Sequence, residues 1–130
     1  MDIGSGGGLP AIPLAIAHPI LRSDLVERSE VKCQFLRQVS RSLGLSEVTV
    51  HQESFPDLRL REGPRAIVAR AVENADVVDK NILERLGRAD LYLAQREMST
   101  SDLASFTVVR VRDSFSSAGL RRGELLRICR

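Results

Sequence analysis

The sequence predicts an α/β fold: a mostly parallel sheet with helices on both faces, closed by an antiparallel hairpin. Three observations carry this. Apolar runs of strand length alternate with segments of helical period, which is how parallel strands joined by crossover helices read. A glycine-rich turn, Gly4-Ser5-Gly6-Gly7-Gly8, leads straight into an apolar helix. The last two predicted strands have no helix between them, as an antiparallel pair requires.

In chain order, Met1-Asp2-Ile3 is a stub of a first strand. Residues Ala11–Ala17 read as a short buried helix opened by Pro10, which is tolerated in a first turn, and ended at His18-Pro19. His18 is a helix-end residue in this reading rather than a ligand. A strand follows over Ser23–Val26 and finishes on Glu27. Ser29 is an N-cap candidate for a helix running to Leu43, with Val31, Phe35, Leu36, Val39 and Leu43 as its apolar stripe and Gly44 as its stop. Val48–Val50 is a short alternating strand, and Phe55–Pro64 a loop. Ala66–Ala69 is an unbroken apolar run, as in a strand covered on both faces. Asn74–Leu86 is an amphipathic helix stopped by Gly87, and Leu91–Ala94 a further buried strand. Ser99–Ala104 is a turn or short helix. The closing strands are Phe106–Arg112 and Glu124–Arg130, joined by Asp113–Gly123.

At 130 residues, 43% hydrophobic and 28% charged, the chain is expected to be one small soluble domain, residues 1–130. No stretch approaches the roughly 20 apolar residues of a membrane span, and no basic region precedes the first apolar run as in a secretory signal. Cys33 and Cys129 are too far apart for a Cys-x-x-Cys site and read as buried thiols of a reducing cytoplasm. No metal-ligand constellation is evident. A net charge of +2 says little about partners. The basic side chains are nearly all arginine, Lys32 and Lys80 being the exceptions. That suits phosphate binding and equally a GC-rich genome.

The chemistry concentrates at the amino end. Asp2-Ile3-Gly4-Ser5-Gly6-Gly7-Gly8 has the spacing Asp-x-Gly-x-Gly-x-Gly, in which glycine permits positive φ and close approach of a ligand to bare backbone. No Gly-Lys-Ser/Thr closes it, so it is not a Walker A loop. A dinucleotide fingerprint fits only weakly, from Gly6, which leaves an NAD-type oxidoreductase as a distant alternative. The spacing is typical of S-adenosylmethionine (SAM)-dependent methyltransferases. Glu27 lies about 20 residues on, at the end of a parallel strand, where a carboxylate accepts both hydroxyls of an adenosine ribose. Arg70, at the mouth of an apolar strand, is either a phosphate or base contact or an ion-pair partner for Glu53 or Glu73.

These residues together resemble the GidB (RsmG) family: the block from Asp2 to Leu14, then Leu25-Val26-Glu27, Phe35-Leu36-Arg37-Gln38-Val39 and Ala69-Arg70-Ala71-Val72. The resemblance implies a class I SAM-dependent methyltransferase, a Rossmann-like sheet, that methylates N7 of a guanine in small-subunit (16S) ribosomal RNA in the cytoplasm. It implies a cofactor site built from Asp2, Gly4, Ser5, Gly6, Gly8, Leu9 and Glu27, with Glu53 and Ser54 near the adenine. Arg70 would face the RNA, and Arg110, Arg112, Arg121 and Arg122 form an arginine-rich edge that either grips phosphates or is merely solvated. No catalytic acid or base is expected, because guanine N7 already offers a lone pair. The family also has an N-terminal helical segment and a full first strand, of which only Met1-Asp2-Ile3 stands here. His51-Gln52 precede Glu53 where arginine is usual, and Ala94-Gln95-Arg96 replaces Leu-Lys-Gly. The alternative is therefore a degenerate, non-catalytic remnant that binds SAM, nucleotide or RNA.

Overall fold

The computed structural model describes residues 1–55, 57–58, 64–70, 90–95, 107–111 and 124–129. The expected helix 74–86, the turn 99–104 and the connection 113–123 lie outside these. The chain divides into two compact units, Met1–Glu62 and Gly63–Arg130.

In the first unit, β1 (Asp2–Ile3), α1 (Ala11–Ala17), β2 (Ser23–Val26), α2 (Glu30–Ser42) and β3 (Val48–His51) follow one another. β1 runs parallel to β2 with Asp2 opposite Leu25, and β2 runs parallel to β3 with Val26 opposite His51. Parallel neighbours need crossovers, and α1 and α2 are those crossovers. Ala11, Ile12, Leu25 and Leu36 form the core, with Val39, Leu45, Val48 and Val50 packed against it. Leu25 and Leu36 are fully buried, each worth about 1.5–3 kcal/mol of transfer free energy.

Helix α2 corrects the sequence reading of its buried face. The most deeply buried residues are Cys33, Leu36 and Ser40, while Val31 is 75% and Phe35 50% exposed. The buried residues keep the helical period, but two of the three are small. Small side chains let a helix approach its sheet closely, whereas hydrophobicity alone favours the larger Val31 and Phe35. Ser29 does occupy the N-cap position, yet its side chain makes no capping bond. Its carbonyl instead accepts from Cys33 N at 2.9 Å. Helix α1 ends as expected, with His18 N donating to Leu14 O at 2.9 Å.

In the second unit, β4 (Ala66–Arg70) runs parallel to β5 (Asp90–Gln95). The last strand, β7 (Glu124–Cys129), is antiparallel to both β5 and β6 (Thr107–Val111). The antiparallel pair at the end of the chain is thus present, with β7 rather than β6 beside β5. Ile67 and Ala69 are buried and alternate with half-buried Ala66 and Val68. Arg127 Nη2 and Nε lie 2.7 and 3.0 Å from Asp90 Oδ2. The pair is substantially exposed, so it contributes at most about 1 kcal/mol.

Candidate functional site

The turn after β1 is stitched to the end of β2. Gly4 N and Ser5 N both donate to Val26 O, at 2.9 and 3.1 Å, and Ser5 Oγ donates to Asp2 O at 3.0 Å. Gly6 has φ +54°, a left-handed conformation that favours glycine. A Cβ built there meets only Gly4 O at 3.7 Å, and one on Gly7 meets nothing within 4 Å. The loop therefore presents bare backbone.

Glu27 follows β2 directly and is only 6% exposed. Its Oε2 accepts from Gly6 N at 3.0 Å and its Oε1 from Ser29 N at 2.9 Å. Its own N–H donates to His51 O at 3.0 Å, and its carbonyl accepts from Cys33 Sγ at 3.1 Å. The carboxylate is thus held by the glycine loop and the N-cap of α2, while the Glu27 backbone is fixed by the end of β3 and the first turn of α2. A carboxylate offers about four lone-pair sites, so the two amide bonds leave acceptor capacity for further hydroxyl donors.

Of the residues expected at a cofactor site, Asp2, Gly4, Ser5, Gly6 and Glu27 are brought together, and Gly8 joins them through Gly8 N donating to Ser5 O at 2.7 Å. Leu9, Glu53 and Ser54 are exposed, and no hydrogen bond among the described residues ties them to the loop. Arg70 and Arg110 lie in β4 and β6. Arg112, Arg121 and Arg122 lie outside the described residues. No group of three or more potential metal ligands occurs among the described residues, and no described helix is long and apolar enough to cross a membrane.

Two partners were not legible in the sequence. His51 Nε2 lies 2.7 Å from Asp24 Oδ1, tying β3 to β2 just below Glu27. Cys33 looks like an ordinary buried thiol, and nothing in its spacing signals its bond to Glu27. Burial pushes the Cys33 thiol up, and nearby Glu27 adds to this while Arg37 opposes it. Two results are expected. Iodoacetamide at neutral pH should leave Cys33 unmodified in the folded protein and label it after unfolding, as read by peptide mass mapping. Because folding favours the neutral thiol, its stabilising contribution is complete below the unfolded thiol value of about 8.5 and is lost as pH rises through the higher folded value.

The family model described as GidB, rRNA small subunit methyltransferase G, matches residues 1–111. The chain belongs to the GidB family. Curated relatives agree with this. The ribosomal RNA small subunit methyltransferase G of Frankia alni is 41% identical over 100 residues, covering 74% of this chain and 38% of that protein. The protein of the same name from Pelotomaculum thermopropionicum is 34% identical, covering 98% of this chain and 54% of its own length. The chain thus spans about half the length, or less, of these GidB-family relatives. Among solved structures, magnesium protoporphyrin IX methyltransferase from Synechocystis, determined with bound SAM, superposes with a TM-score of 0.74 at 16% identity, over 99% of this chain and 68% of that one. The fold is that of the class I methyltransferases, Rossmann-like, as the element alternation implies.

Proposed function

We propose that this GidB-family chain binds SAM in the glycine loop and supports methyl transfer to guanine N7 of small-subunit ribosomal RNA, in the cytoplasm. The observation that carries the reading is the Gly6 N–H donating to the buried Glu27 carboxylate. It joins the two halves of an adenosyl site that lie 21 residues apart in sequence. The residues fit the cofactor. Gly7 leaves open space where any other residue would put a Cβ, and a Cβ on Gly6 would touch only Gly4 O. Glu27, its position fixed by Gly6 and Ser29, retains lone pairs for ribose hydroxyls. Bound SAM would supply the methyl electrophile.

The chain's own work is alignment and exclusion of water. A correctly held nucleophile can contribute about 7–11 kcal/mol to lowering a barrier without any proton being moved. Asp2, Gly4, Ser5, Gly8 and Leu9 would complete the amino-acid end of the site, and Glu53 and Ser54 its adenine end. Arg70, Arg110, Arg112, Arg121 and Arg122 would face the RNA. The relatives' name, ribosomal RNA small subunit methyltransferase G, supports the choice of substrate.

Thermal denaturation with SAM or S-adenosylhomocysteine tests the reading. Ligand at 100 times its Kd stabilises by about 2.7 kcal/mol, a rise of several degrees for a domain of this size. Labelled methyl groups should then appear in naked small-subunit RNA. No thermal shift at millimolar cofactor overturns the assignment, and a shift without transfer selects the non-catalytic alternative.

A further inference from the structure

We propose that the groove between the C-terminal half of α2 and β3 is a second, separate binding site that takes one unpaired nucleotide of an RNA strand. The choice of RNA among anionic ligands rests on the proposed function. The groove is a cavity of about 380 Å3 lined by Arg37, Ser40, Arg41, Leu45, Val48 and Val50, among others. Its volume falls within the range of small-ligand sites. Ser29 stands at the N-cap position of α2 beside Glu27, and Ser40 lies three turns further along the same helix. At 1.5 Å per residue this places Ser40 about 16 Å along α2 from Ser29.

Three features define the occupant. Ser40 is only 7% exposed, yet its hydroxyl has no hydrogen-bond partner among the described residues. Such a group is costly to bury and suits a polar ligand atom. Arg37 and Arg41 stand one turn apart on the groove wall. Among the described residues, exposed Arg41 makes no ion pair, and Arg37 spends one donor, Nη2, on Val50 O at 3.3 Å. Guanidinium groups grip phosphate and stack on bases. Leu45, Val48 and Val50 supply an apolar floor for a base.

The edge of β3 argues against an added peptide strand. Ser23 N and Glu27 N bond to Glu47 O and His51 O, so the odd-numbered carbonyls of β3 face β2 and the even ones face outward. On that outward side Val50 O is taken by Arg37, and Val48 N by Leu45 O at 3.2 Å. A blocked edge with an open pocket beside it admits a compact ligand in preference to a strand.

The test uses the full chain and a short single-stranded RNA carrying 4-thiouridine, photo-crosslinked and mapped by mass spectrometry, alongside direct binding measurements. Crosslinks are expected within residues 37–50. Ser40→Ala and Arg41→Gln should each weaken RNA binding about fivefold, and Arg41→Gln should reduce the salt slope by about one. Ser40→Ala should also melt higher than wild type without RNA, because an unpaired hydroxyl has been removed. Calorimetric uptake of S-adenosylhomocysteine should be unchanged in both variants, and it reads the cofactor site independently. If wild type takes up no cofactor but crosslinks in the groove, the proposed function fails and the groove site stands. Crosslinks confined to other segments, undiminished RNA affinity in both variants, or binding of free nucleoside monophosphate without RNA crosslinks would each overturn the proposal.

Discussion

Glu27→Ala is expected to abolish uptake of SAM and S-adenosylhomocysteine, with affinity falling more than a hundredfold by calorimetry. The carboxylate would offer charge-assisted hydrogen bonds to two ribose hydroxyls, each worth about 1.5–3 kcal/mol, and each 1.4 kcal/mol is tenfold in Kd. The same substitution removes the acceptor from Gly6 N and Ser29 N, which donate to it at 3.0 and 2.9 Å. A stability loss of about 1–3 kcal/mol should accompany it. Binding must therefore be measured well below the variant's melting temperature, where the folded fraction matches wild type. Glu27→Gln separates the two contributions. It keeps the volume and one carbonyl acceptor but sets an NH2 against one of the two amide donors, so affinity should fall by about tenfold or more with a smaller loss of stability. Undiminished uptake by both variants would remove the ribose role from Glu27 and leave it as a clamp between loop and helix.

Glu27 and the glycine loop were legible because both are tied to element ends. An apolar strand ends where a charge begins, and a loop rich in glycine after a strand stub has few structural uses. The strands were legible for a related reason: Ala66–Arg70 and Asp90–Gln95 lie in apolar runs of the expected length. Which face of α2 is buried was not legible. A count of large apolar residues points to Val31 and Phe35, but the packing buries Cys33 and Ser40. The bonds from Cys33 Sγ and Ser29 N to Glu27 were hidden likewise, since they depend on how the crossover turns from β2 into α2. The resemblance to the family implies an adenine-side role for Glu53 and Ser54. Both lie past the end of β3 and are exposed, so local sequence fixes their neighbourhood less than it fixes that of Glu27.

Gly8→Ala should be strongly destabilising, with Gly7→Ala in the same loop as its control. Gly8 has φ +85°, and a Cβ there would lie 2.5 Å from Ile12 Cγ1 and 3.1 Å from Leu36 Cδ2. The left-handed backbone costs a non-glycine residue about 1–2 kcal/mol. Overpacking against two core side chains adds about 1–3 kcal/mol. Ile12 and Leu36 belong to the buried cluster that carries α1 and α2, so neither can swing into solvent. A loss of about 2–5 kcal/mol is expected from urea unfolding at unchanged m value, a large part of the stability of an ordinary domain. A Cβ on Gly7 meets nothing within 4 Å, and its φ lies outside the left-handed region, so Gly7→Ala should be neutral or stabilising by up to about 1 kcal/mol. Adding Ile12→Ala to Gly8→Ala separates the two costs. The double variant should lose less than the sum of the single losses, because the clash with Cγ1 exists only when both side chains are present. Strict additivity would place the whole cost in the backbone, and an innocuous Gly8→Ala would mean that the turn takes another path onto α1.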